Sequence, residues 1–147
     1  MKTLIINILL MVPVLGWGQT FEQVVDFDIE LSSLSNPDIV RDAADDGRIV
    51  ILEGLLRDIT AEGSGPETTI WITLIGGEWI GTLEVRAYSC RVRFSGDKWQ
   101  EVFTAGDNED LGDIRPGSRM LVAARVIGLG PEDQIAELEM VDYRTYK

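Results

Sequence analysis

At Arg48 the hydrophobic pattern of this chain changes period. Before it lies the spacing of a short helix; after it comes a two-residue alternation that recurs five times. Alternation sends every second side chain to one face of a strand, so each segment has one apolar face to bury and the five must share a core. The segments are RIVILEGLLRDIT (48–60), TIWITLIGG (69–77), LEVRAYSCRVRF (83–94), RMLVAARVIGL (119–129) and QIAELEMVDYR (134–144). Gly54 falls in the middle of the first, where a bulge or tight bend is expected. In the third, Tyr88, Cys90, Val92 and Phe94 share one face, with Ser89, Arg91 and Arg93 on the other. In the fifth, Ala136, Leu138 and Met140 alternate with Glu137 and Glu139. Gly, Pro and Ser at 61–68, 115–118 and 130–133 mark turns between them.

Upstream, Asn36-Pro37 is a helix-start signal, with Asn36 as N-cap and Pro37 in the first helical position, and Gly47 is placed to end that helix. FEQVVDFDIELSSL (21–34) suits either a helix or a strand, and helix is the expectation here. Five strands after a short helix, a long first strand with a mid-strand Gly, and the widest connection between the third and fourth give the order of an all-β OB-fold, a five-stranded Greek-key barrel. Eight strands would be needed for a lipocalin and about seven for a two-sheet sandwich.

Residues 1–18 read as a secretory signal. Lys2 supplies a positive start, LIINILLMVPVL (4–15) an apolar stretch, and Gly16-Trp17-Gly18 the small residues that precede cleavage. The apolar run is shorter than the roughly 20 residues of a membrane span, and no other run is long enough to span a membrane once it is removed. The expected organisation is therefore a signal peptide (1–18), a helical lead-in (19–47) and a barrel domain (48–147), secreted or periplasmic. Cleavage leaves 12 basic against 25 acidic residues, a net charge of −13. So acidic a chain is disfavoured as a non-specific nucleic-acid or anionic-lipid binder. There is no His, and Cys90 is the single Cys, which excludes His-based catalysis, an intrachain disulfide and multi-Cys metal sites. Cys90 lies in an apolar alternation and is expected to be buried.

The runs RIVILEGLLRDI, VRAYSCRVRF, IRPGSRMLVAARVIG and IAELEMVDY together resemble the secreted tRNA-anticodon-binding-like OB family, with Gly54, Cys90, Phe94, Gly117 and Leu138 at the matching positions. The resemblance covers 37–143 and implies an OB barrel outside the cytoplasm; it does not imply tRNA binding. The connection at 76–82 and the insertion at 95–114 are longer than the family pattern.

OB-folds bind across the face of strands two and three, between the loops that here are 61–68 and 128–133. With Ile70, Ile72 and Leu74 inward, Trp71 and Thr73 point outward, and Arg91 and Arg93 point outward from the next strand. An aromatic plane beside guanidinium groups can stack on bases or sugars and hold acidic groups. The competing expectation, which we prefer, is that the N-terminal helix covers Trp71 and the arginines neutralise nearby acids. Asp107, Asn108, Glu109, Asp110 and Asp113 supply oxygen ligands but not the EF-hand pattern, so a solvated acidic loop is expected and no metal or other cofactor is assigned. Asp42, Asp45 and Asp46 are read the same way. No acidic signature accompanies an Arg as in staphylococcal-type nuclease barrels, and no catalytic residue is assigned. The expected function is binding an oligosaccharide, peptide or nucleic acid, or, alternatively, acting as an acidic protein-interaction partner, such as an inhibitor or immunity-type protein, that masks a basic target.

Overall fold

Asn36 caps its helix as expected: its side-chain oxygen accepts from the Asp38 N–H at 3.0 Å, and Pro37 occupies the first turn. The helix that follows, α1, runs Pro37–Asp45 and buries Val40 and Ala43. This computed structural model describes residues 25–64, 67–96, 99 and 114–146. Ahead of α1 lie a two-residue strand, β1 (Val25–Asp26), and a 3₁₀ turn, Ser33–Ser35. After it come β2 (Ile49–Glu62), β3 (Thr69–Ile80), β4 (Glu84–Phe94), β5 (Arg119–Leu129) and β6 (Ala136–Tyr146). Among the described residues no helix is long and apolar enough to cross a membrane.

The five long strands close on themselves in the order β2-β3-β4-β6-β5, with β5 returning to β2. All neighbours are antiparallel except β4 and β6, whose parallel contact sets Cys90 opposite Ala136 and Arg93 opposite Glu139. This is the OB-fold barrel. Alternation fills its interior with Val50, Leu52, Ile72, Leu74, Val92 and Leu138, all fully buried, and no buried residue among those described is polar or charged. One mouth carries an aromatic cluster, in which the Phe94 ring lies 5.2 Å from Trp99 and 6.1 Å from Tyr143. α1 packs against β5.

Three expectations are corrected. The described part of 21–34 is not α-helical: Val25–Asp26 pairs in parallel with Ile49 and Val50, where the edge of β2 offers backbone partners and Val25 is buried, and only a 3₁₀ turn follows at Ser33–Ser35. The bulge in β2 falls not at Gly54 but between Leu56 and Asp58. Gly54 is instead a point of close approach, where a Cβ would stand 3.1 Å from the Ile75 carbonyl oxygen. Finally, the Gly-rich stretch at 76–82 is no long connection; β3 runs through it to Ile80, and a tight turn at Gly81 (φ +68°) leads into β4. The expected signal peptide, the acidic loop at 107–113 and most of the 95–114 insertion lie outside the described residues.

Arg48 fastens the N-terminal segment to the barrel. Its guanidinium meets Asp26 of β1 and Asp46 at the end of α1, each at 2.7 Å. Those hydrogen bonds, Asp46 first, raise its already high pKa.

Two outcomes are expected. Gly54→Val should push against backbone that cannot swing aside and cost about 1–3 kcal/mol of stability in urea unfolding. Burial pushes the Cys90 thiol up from 9.0 to about 12, so an unfolded chain gives up this proton before the folded one does. Stability should therefore fall as pH rises past about 9, by a component that Cys90→Ala lacks.

Candidate functional site: the outer face of β3 and β4

The register that packs the core also sets the outer face. With Ile72, Leu74, Cys90 and Val92 inside, the intervening residues face out, and the β3–β4 ladder sets Trp71 opposite Arg93 and Thr73 opposite Arg91. The four residues singled out from sequence, Trp71, Thr73, Arg91 and Arg93, thus share one face. On the far side of β4, the parallel β6 places Glu137 beside Arg91 and Glu139 beside Arg93. On the far side of β3, the end of β2 brings in Glu62.

The side chains then compensate one another. The Arg91 guanidinium lies over the Trp71 ring, 4.6 Å from its centroid. Its Nη1 donates to Glu137 and its Nη2 to Glu62, both at 3.3 Å. The Trp71 indole N–H donates to the other Glu62 oxygen at 3.0 Å. Arg93 stands 3.8 Å from Glu139, which also accepts from the Ser95 hydroxyl. The Arg93 Nε is buried with no acceptor among the described residues.

Trp71 faces outward yet is only 8% exposed. The expected cover was the N-terminal helix; what lies against the indole is Arg91 and Glu62, while α1 sits on β5. The arginines do neutralise nearby acids. The acids themselves, Glu62, Glu137 and Glu139, were missed as site residues. A signal for two of them was present: Arg91-x-Arg93 and Glu137-x-Glu139 have the same spacing and come into register once β4 and β6 pair in parallel. The face carries three carboxylates against two guanidiniums. The β5–β6 loop beside it is tied by the Gly130 N–H to the Ile135 carbonyl at 2.8 Å. Asp42, Asp45 and Asp46 gather no metal-ligating group among the described residues.

No family model matches the chain, and comparison with curated proteins finds no match. Solved structures do resemble it. A small single-stranded DNA-binding protein from Streptomyces coelicolor aligns with a TM-score of 0.48 at 9% identity, covering 67% of this chain and 91% of its own. The Plasmodium falciparum SSB, in complex with ssDNA, gives 0.45 at 13% identity, over 67% and 94%. A putative aspartyl-tRNA synthetase from Leishmania major gives 0.47 at 15% identity, over 91% of this chain but 23% of that one.

Removing the guanidinium should uncover the indole. Arg91→Ala is expected to leave the barrel folded, shift Trp71 emission to the red and raise its quenching by acrylamide, measured against Trp71→Phe. Its coupling to Glu137 in a double-mutant cycle should be below about 1 kcal/mol, since both side chains retain solvent contact.

Proposed function

We propose that this chain is an exported, non-catalytic OB-fold binding module of the tRNA-anticodon-binding-like kind, and that its partner is a polypeptide of opposite charge. The observation that carries this reading is the compensated face. Arg91 is held by Glu62 and Glu137 and Arg93 stands beside Glu139, so both arginines singled out on the strand-two-and-three face are countered by carboxylates before an anionic ligand arrives. One side of the Trp71 ring is taken by Arg91, which removes the open aromatic plane that a base or sugar would stack on.

The excess of acid points the same way. The full chain carries −12, and a negative potential steers a cationic partner into contact and speeds association. Single-stranded DNA-binding proteins are among the similar structures, and nucleic acid is the competing ligand. A chain with no histidine lacks the commonest general acid–base group, which favours binding over turnover.

Binding of poly-L-lysine, oligo(dT) and chito-oligosaccharide to the full chain decides between the ligand classes. Poly-L-lysine should bind at low salt and weaken steeply as ionic strength rises through about 0.15 M, where exposed charges are screened beyond roughly 8 Å. Oligo(dT) binding tighter than poly-L-lysine at that salt would overturn the proposal.

A further inference from the structure

β2 has a gap in its pairing. On the edge away from β5 it pairs with β1 at Ile49 and Val50 and with β3 from Leu55 onward. Between them, on that edge, Ile51–Gly54 pair with no strand among those described. The facing edge of β3 is likewise unpaired there from Gly76 to Ile80, because its ladder with β2 stops at Ile75. The two strands part at this point and a groove of about 630 Å³ opens between them.

The chain already uses this place once. Its own segment before α1 crosses the groove and lays Leu31 into the notch, where a Cβ on Gly76 would stand 2.8 Å from Leu31 Cδ2 and one on Gly54 3.6 Å away. The adjacent Gly77 has no side chain either, so two successive residues of the β3 edge present only backbone there. Around it stand Glu30, Glu53 and Glu78, with Phe27 and Tyr88 as aromatic walls; Glu53 is taken up by Arg119, while Glu30 and Glu78 have no ion pair among the described residues. Phe27 is 63% exposed. Glu78 is oriented by the Tyr88 hydroxyl, which donates to it at 2.9 Å.

The geometry points to strand addition: an extended, Lys- or Arg-bearing segment of another protein pairs with the Gly76–Ile80 edge of β3 and sets its cationic side chains against Glu30 and Glu78. Unpaired N–H and C=O groups supply the affinity in such docking, and the flanking side chains supply selectivity. A second copy of this chain is a poor occupant, because two bodies of charge −12 repel. The inference rests on the proposed cationic partner and adds where and how it docks.

The test uses the full chain and a capped seven-residue peptide alternating valine and lysine, followed by calorimetry and by amide hydrogen exchange. The peptide should bind and slow exchange across Gly76–Ile80. N-methylation of alternate peptide bonds should weaken it about tenfold by removing edge hydrogen bonds. Glu78→Gln should weaken it about threefold, the scale of one exposed ion pair. A valine–glutamate peptide should not bind. Absence of binding overturns the inference, as does binding that N-methylation leaves unchanged or that protects the Trp71 face instead. In the last two cases the cationic-partner reading survives and only the groove is lost, whereas failure of poly-L-lysine to bind removes that reading itself.

Discussion

A single strand has to serve both sides of the barrel. β2 runs for 14 residues, and no straight strand can pair with β5 through its first half and β3 through its second while keeping one face inside. The chain meets this with a bare Gly54 at the crossing and a register shift before Asp58. Closure follows, and with it the position of each outward residue discussed above. The same bend leaves the β2 edge open at Ile51–Gly54, so the groove is the geometric remainder of closing the cylinder.

On the outer face, electrostatics works at short range. Arg91 and Arg93 of β4 each find a carboxylate one strand away, and the exchange is close to neutral in energy because these side chains stay partly in water. Its effect is on what remains available. A guanidinium held by two carboxylates and lying on an indole is a cover for that ring, and the chain's surplus of acid is then expressed elsewhere, including around the notch filled by Leu31.

Much of the architecture was legible in the alternation. The bounds of β5 and the inward sets of β3 and β4 could be read directly, since a buried face imposes a period of two on the sequence. The end of β3 could not. Gly76-Gly77 is a turn signal in isolation, and only the approach of Leu31, a contact distant in sequence, explains why glycine is needed within a strand. The segment at 25–34 failed for a related reason: its fate depends on an edge created by β2, which no local window contains. At the site, the outward placement of Trp71, Arg91 and Arg93 was visible. Their compensation depended on which strand lies beside β4, a fact of topology.

The interior described here contains no charged group, and the chain has no histidine, so acidification creates no new charge inside the barrel. What protons remove instead is the negative charge on the outside. A molecule built this way would meet acid by losing its mutual repulsion before losing its shape, and its failure there would be precipitation of folded barrels.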